Sequence, residues 1–594
     1  MSRIRPSLSR LTVRSRGVRG VLGALAAALG ASIVIRPTAS LGVLAVLIGL
    51  GCVVTGVLEL AAARDPQGFA RSRMAMVALW VAGGIVVLVA PGLTVRAIAV
   101  AVGVGLLING ALQVVSGCSG AISRDARVAS VLLGLAWIGF GALALAWPDI
   151  TLIVVGIAFG ARLIIGGIVT LWHAIRPPEP APTSPDTASA ATHPWRRTVA
   201  AAVALAVAVA AGTVSALIRQ GSPVVDVFYA PPRDVPAQAG QLIRFEPFGR
   251  GVPEGAQAWR ILYTTTDGDG DPAVASGLVV TPRDGAGEWP VINWLHGTTG
   301  FAEQCAPSLL PEPFTAGALM VLPQVIEHGW ALVATDYLGL GTAGPHPYLI
   351  GVPSAQAGLD AVRAARQVSE ARLGAKTVTW GHSQGGGAAL WTGSLAAEYA
   401  PDVPLSGVAA MAPASDPTTL MENLGNVKGG SVFASYAVAG YTAWYPDVRG
   451  SDYIRPGAEG ITRQLAGRCL SEPAMLASVL VVLGLSADPD IFARSPLEGA
   501  FGVRLQQNTP PPTVTAPLLI AQGAADSIVP RHGQDAFVTG LCDAGQQVDY
   551  RVYAGADHMP LVEPGSALIP ELFAWTTARF GGKPVAKGCV HTSR

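Results

Sequence analysis

Two structural classes are predicted within one chain, an α-helical transmembrane bundle followed by an α/β domain, and three observations carry the prediction. Of 594 residues, 51% are hydrophobic and only 13% charged, against about 25% charged in a typical soluble domain, so much of the chain belongs in lipid. Apolar stretches approaching the ~20 helical residues that cross a hydrocarbon core recur as far as Ile218 and then stop. From Ser222 onward short β-rich runs alternate with helical patterns, the mark of an α/β fold. The formal net charge of +1 gives no whole-chain electrostatic reason to expect nucleic acid or an acidic partner.

The apolar stretches are Val18 to Ile35, Leu41 to Ala63, Met74 to Ala90, Val95 to Val115, Val128 to Trp147, Ile150 to Trp172 and Thr198 to Ile218. The first follows a basic tail, residues 1–16, but it is not read as a cleaved signal peptide. Further spans follow at once, and Arg36-Pro37 is a poor small-residue cleavage site. One pattern recurs with identical internal spacing: Pro37, Ser40, Gly49, Gly56; Pro91, Thr94, Gly103, Gly110; Pro148, Thr151, Gly160, Gly167. Each copy reads as a helical hairpin with Pro at the turn and small residues on the second helix, where close backbone approach allows tight packing in lipid. Residues 17–175 are therefore expected to form a six-helix bundle of three hairpins. This half resembles the HdeD-like acid-resistance membrane proteins, which are built of such hairpins. Glu59 and Arg162 lie within the spans, with Asn109 and Gln113 at similar places in the middle repeat. With so little polar lining, the bundle reads as a scaffold or anchor rather than a transport path.

Orientation follows from the Lys and Arg content of short loops. Arginines crowd the N-terminal tail and recur at Arg64, Arg71 and Arg73, at Arg124 and Arg127, and at Arg176, Arg196 and Arg197, whereas the alternate loops hold only Arg36 and Arg96. The N-terminus is therefore placed in the cytoplasm. A Pro- and Ala-rich linker, residues 176–197, leads to a seventh helix, residues 198–218, and the chain from about Gly221 is placed outside the cell membrane.

In the second half, residues 222–594, candidate strands are 258–265, 275–281, 291–295, 331–335, 377–380, 407–411, 517–521 and 549–553, with an amphipathic helix over 356–372. The segment Thr377-Val378-Thr379-Trp380-Gly381-His382-Ser383-Gln384-Gly385 places G-x-S-x-G between a strand and an Ala-rich helix. That is the setting in which a sharp turn exposes a nucleophilic serine, and it predicts an α/β-hydrolase fold. A serine hydroxyl needs a base, and the base a carboxylate, in the chain order Ser, Asp, His. Asp526 follows a strand ending at Gly523, and His558 follows the last strand. Ser383 is thus the expected nucleophile, His558 the proton shuttle and Asp526 the group that fixes the imidazole tautomer. His382, expected to point away, and His532, too close behind the acid loop, compete weakly for the base, and Asp557 for the acid. One oxyanion donor should be the backbone N–H of Gln384. The second should come from the loop Leu295-His296-Gly297-Thr298-Thr299-Gly300, at Gly297 or Thr298.

With these residues placed, the second half resembles the secretory lipase family of α/β-hydrolases, supported by the serine elbow, by Asp336-Tyr337-Leu338-Gly339 and by His346-Pro347-Tyr348-Leu349. The resemblance implies hydrolysis of acyl esters, often lipids, with no metal and no organic cofactor. It also makes Asp336 a rival for the second oxyanion position. The long separation of Ser383 from Asp526 implies an inserted cap at about 416–512, containing an apolar run from Ala474 to Leu483 too short to cross a bilayer. Cys305, Cys469, Cys542 and Cys589 all lie in this half. In an external domain they suggest two disulfides, Cys305 with Cys469 and Cys542 with Cys589. The same triad would equally serve acyl transfer or peptide cleavage, and a protein that only binds a ligand in membrane stress or transport is the non-enzymatic alternative.

Overall fold

A proline opens a helix at two of the three repeated positions. In the computed structural model these helices are α2 (Pro91–Cys118) and α4 (Pro148–Ile175), beside α1 (Arg16–Ile35), α3 (Arg124–Ala146) and α5 (Pro194–Gln220). The structure describes residues 16–35, 91–118, 123–175, 194–285, 288–484 and 491–594, with a few isolated positions between 53 and 89. The expected spans 41–63 and 74–90, with Pro37, Ser40, Gly49, Gly56 and Glu59, lie outside those residues apart from these isolated positions. Three described stretches, Val100–Cys118, Arg124–Ala146 and Trp195–Arg219, are long and apolar enough to cross a membrane.

Thr151, the hydroxyl residue of the third repeat, donates to the carbonyls of Ala144 (3.0 Å) and Trp147 (2.9 Å). It thereby ties the start of α4 to the end of α3, where helix carbonyls lack intrahelical partners. The repeated glycines meet helices of other repeats. A methyl group added at Gly110 would lie 2.6 Å from the Gly134 carbonyl oxygen, and one at Gly30 would lie 2.5 Å from that of Gly160. Gly23 faces Gly167 in the same way. Backbones therefore touch between α2 and α3 and between α1 and α4, which are helices of different hairpins. Against this bundle, α5 sets Ala208 on Gly139 and Ser215 within 2.9 Å of the Trp147 indole nitrogen.

A second compact unit begins at Leu217. The second is built on a ten-stranded sheet of order β1-β2-β3-β5-β4-β6-β7-β8-β9-β10. Its strands are β1 (Leu242–Phe248), β2 (Ala256–Thr266), β3 (Pro272–Pro282), β4 (Trp289–Leu295), β5 (Ala331–Tyr337), β6 (Leu373–His382), β7 (Leu405–Met411), β8 (Leu518–Gly523), β9 (Val548–Tyr553) and β10 (Cys589–Ser593). The first three strands and the β3–β5 pair run antiparallel, and the rest pair in parallel. All eight expected strands are present, and β1 and β10 extend the two edges.

The parallel strands are apolar on both faces, as burial under helices on each side requires. In β4, Ile292 and Trp294 join a cluster with Trp330, Trp380, Phe573 and Trp575, while Val291 faces Leu359 and Val362 on the opposite side. The helix expected over 356–372 is instead α6 (Gly351–Ala365), followed by a 3-10 turn at Ser369–Ala371. It starts earlier because Gly351 allows close packing on Trp391, whose indole nitrogen would stand only 2.0 Å from an added methyl group. Helix α7 (Gln384–Tyr399) follows β6, and between β7 and β8 the chain forms the helices Pro417–Asn423, Gly430–Trp444, Glu459–Ala466, Met475–Gly484 and Gly499–Gln507. Disulfides join Cys305 to Cys469 and Cys542 to Cys589, the pairing expected from the sequence.

Candidate active site

The turn from β6 to α7 leaves Ser383 at φ 58°, ψ −120°, a region that costs an L-residue on the order of 1–3 kcal/mol and persists only when its surroundings fix it. They do so here through the backbone. The Ser383 amide donates to Met411 O (3.0 Å), and its carbonyl accepts from the amides of Ala414 (2.9 Å) and Gly387 (3.1 Å). The flanking glycines are required by contact. A methyl at Gly381 would fall 2.0 Å from the Gly385 carbonyl oxygen, and one at Gly385 would fall 1.9 Å from that of Leu295.

At the ends of β8 and β9 the structure brings Asp526 and His558 together. The Nδ1–H of His558 donates to Asp526 Oδ2 at 2.8 Å, since a carboxylate can only accept. The other Asp526 oxygen accepts from the amides of Ile528 (3.0 Å) and Val529 (2.8 Å), and Gln522 Nε2 donates to Oδ2 at 3.2 Å. Asp557 is occupied differently. Its Oδ1 accepts from the Ser527 amide (2.8 Å), the Ser527 hydroxyl (3.0 Å) and the His558 amide (2.8 Å), binding the two loops together. His532 is exposed at the start of the helix Arg531–Asp543.

His382 does not point away from the nucleophile, as the sequence suggested. It is buried, its ring centroid lies 4.6 Å from that of His558, and its Nε2–H donates to the His558 carbonyl at 3.2 Å. The strained serine turn sets the preceding side chain beside the His558 loop, which strand alternation alone does not reveal.

Around the expected oxyanion position, the Gly297 amide donates to Gly317 O at 3.0 Å. Thr298 lines the cavity, with its hydroxyl 2.9 Å from that of Tyr348. Asp336 is buried behind the loop and accepts from Ser276 Oγ (2.6 Å), Ser308 Oγ (2.5 Å) and the Ser308 amide (2.9 Å). Burial raises its pKa, against the lowering effect of those hydroxyls. Ser383, Gln384 and His558 line one cavity of about 300 Å³, with Leu420, Leu424, Phe433, Leu470, Ile528 and Met559 as apolar walls.

His346 is a further residue whose role the sequence left open. Fully buried, it donates from Nδ1 to Leu338 O (3.0 Å) and accepts at Nε2 from the Gln384 side-chain amide (3.0 Å), orienting the residue after Ser383. Burial pushes its pKa down to about 3, and that of His296 down to about 4. Both are therefore neutral in the fold and take up a proton only on unfolding. Their contribution to stability is fully present above the unfolded value near 6.5 and is lost as pH falls toward the folded values. Each depressed histidine accounts for about 1.4 kcal/mol per pH unit within that window. The buried carboxyls Asp336 and Asp360 are shifted up, also by burial, so their linkage has the opposite sign. His346→Gln isolates the histidine. The chain in detergent is expected to lose stability more steeply from pH 6 to 4.5 than the variant does, measured by denaturant unfolding, and equal slopes would show His346 charged in the fold.

Comparison with known proteins follows this geometry. Residues 313–588 match the family model of the secretory lipases, and residues 21–83, 75–141 and 132–183 match a short repeat of unknown function, DUF308. The chain thus carries a secretory lipase domain after three such repeats, whose starts are spaced as Pro37, Pro91 and Pro148 are. Lipase A of Moesziomyces aphidis is 26% identical over 411 residues, covering 64% of this chain and 86% of that protein. A Mycobacterium tuberculosis (strain CDC 1551 / Oshkosh) protein named probable inactive lipase MT1628 is 27% identical over 405 residues, covering 63% and 86%. Candida antarctica lipase A in its closed state superposes with a TM-score of 0.50 at 23% identity, over 62% of this chain and 88% of that one, a likeness of fold.

Proposed function

From a chain in which a secretory lipase domain follows three short membrane repeats, we propose a membrane-anchored serine ester hydrolase that cleaves acyl esters on the outer face of the cell membrane. The observation that carries the reading is the 2.8 Å bond from His558 Nδ1 to Asp526, with Ser383 held at its strained turn on the wall of the same cavity. A proton fixed on Nδ1 leaves Nε2 free to accept the Ser383 proton as Oγ attacks the ester carbonyl. The imidazolium then protonates the leaving alcohol, and Asp526 stabilises that charged form. Water, activated by the same imidazole, releases the acid from the acyl-enzyme.

The backbone N–H of Gln384, at the first turn of α7, supplies one donor for the tetrahedral oxyanion, aided by the positive end of the helix. The Thr298 segment supplies the second, because the Gly297 amide is engaged by Gly317 O and the Asp336 carboxyl by two serines. The apolar walls suit an acyl chain. The arginine distribution supports an outside hydrolase unit, and two disulfides fit an oxidising compartment.

Hydrolysis of p-nitrophenyl esters from acetate to palmitate by the purified full chain, beside Ser383→Ala, tests the reading. Activity in the native chain is expected to fall by more than roughly 10³-fold in the variant. Activity that survives the substitution, or none on any ester, would overturn it.

A further inference from the structure

We propose that the cap helix Met475–Gly484, here α8, is a contact with the membrane surface that seats the wall of the Ser383 cavity against lipid, so that the substrate is an amphiphilic ester resident in the bilayer. The inference rests on the reading of the chain as a membrane-anchored ester hydrolase.

The first support is the way this helix turns. Its large apolar side chains face outward, with Leu476 60% exposed, Leu480 57% and Val479 43%, while Ala477, Ser478 and Val481 are buried. A helix covering a core in water would be turned the other way, and a contiguous apolar face of this kind marks an interaction surface. At ten residues it is about 15 Å long, too short to cross a bilayer and long enough to lie in its interface.

The second support says what covers that face. Helix α5 ends at Gln220, and the next residue, Gly221, sits directly on Pro473, whose ring would stand 2.6 Å from a methyl group added at Gly221. Pro473 lies two residues before α8. The first backbone beyond an apolar helix long enough to span the membrane therefore holds the start of α8, within a few residues of the lipid boundary. Val224 and Val227, just past the same contact, are 79% and 83% exposed. Lipid is the occupant continuous with this site.

The third support links the face to the chemistry. Leu470 and Ser471 line the catalytic cavity. The Leu470 amide donates to Thr299 O at 2.8 Å, and Cys469 is bonded to Cys305. Glu472 closes the turn by accepting from the Cys469 amide at 2.9 Å. The cavity wall, Pro473 and the outward-facing leucines thus form one short segment fixed at both ends. An acyl chain leaving the bilayer beside α8 is next to the wall of the cavity.

The full chain in phosphatidylcholine vesicles provides the test, using the double variant Leu476→Ser, Leu480→Ser. Hydrolysis of water-soluble p-nitrophenyl butyrate is expected to stay within twofold of the native chain, while hydrolysis of a long-chain diacylglycerol embedded in the vesicles falls at least tenfold. Equal change on the two substrates, including none, overturns the proposal. A second readout does not depend on activity. Leu480→Cys, in a Cys52→Ala, Cys118→Ala background, is labelled with an environment-sensitive fluorophore and exposed to lipids bearing a quencher near the headgroup. Quenching is expected, and its absence overturns the membrane contact. Quenching of the labelled chain, together with a native chain that hydrolyses no ester, would remove the hydrolase reading and keep the contact.

Discussion

Asp526→Asn is expected to lower kcat on a p-nitrophenyl ester by about 10⁴-fold, by analogy with the loss of the correct histidine tautomer in serine proteases, with little change in fold. The amide cannot mimic the carboxylate, because its orientation is dictated by neighbours. One Asp526 oxygen accepts from two backbone N–H groups, of Ile528 and Val529, and the asparagine oxygen must stay there. Its NH₂ group then faces His558 Nδ1, which has to accept rather than donate. The imidazole proton moves to Nε2, where it blocks abstraction from Ser383. Asp557→Asn provides the contrast. Its Oδ1 accepts from Ser527 and from the His558 amide, and an asparagine oxygen can do the same. Its kcat is expected to stay within about tenfold of the native value, since only the charge is lost. If the two variants exchanged effects, Asp557 would be the catalytic acid.

The other large effect is structural. Gly385→Ala is expected to abolish the native serine turn and to leave little folded protein, read as the yield of chain with a cooperative thermal transition in detergent. The added carbon would stand 1.9 Å from the Leu295 carbonyl oxygen and 2.6 Å from that of His296. Both atoms are backbone between β4 and the oxyanion loop, so no side-chain rotation relieves the overlap. Separating α7 from β4 would break well-packed core at a cost above about 4 kcal/mol, against a typical total of about 5–15 kcal/mol. Gly425→Ala, with no atom within 4 Å of the added carbon, is expected to leave the transition within about 2 °C. A Gly385→Ala chain that melted normally would show that the strand and helix tolerate separation.

The central strands were legible because each is a short apolar run bounded by turn residues, and the sharp turn at Ser383 because its close backbone approach needs glycine on either side. The edge strands were not. In β1 the sequence Leu-Ile-Arg-Phe-Glu-Pro-Phe carries a proline and two half-buried charged residues, and it pairs only with β2. In β10, Cys-Val-His-Thr-Ser is five residues long and joins β9 beside the Cys542–Cys589 bond. Their strand character comes from a partner rather than from their own pattern. The same reason hid the state of the Gly297–Thr298 loop. The Gly297 amide is engaged by Gly317, twenty residues on, and the His346 ring by Leu338 and Gln384. Such pairings are tertiary, and no local spacing encodes them. The glycine repeat was visible, but its partners in neighbouring hairpins were not, because spacing along one helix fixes which face is narrow and not what lies against it.

The bond between Cys305 and Cys469 has a bearing on how the enzyme is produced. It clamps the segment carrying Leu470 beside the Thr298 loop, at a sequence separation of 164. The triad itself contains no sulfur. A chain synthesised where thiols stay reduced would therefore keep Ser383, His558 and Asp526 in place while that side of the cavity lost its covalent tie and kept hydrogen bonds such as Leu470 N–H to Thr299 O and Gln304 Nε2 to Gly467 O. Inactive recombinant material from a reducing host would then report on the export route rather than on the chemistry, and oxidative refolding of that material is the way to recover the channel.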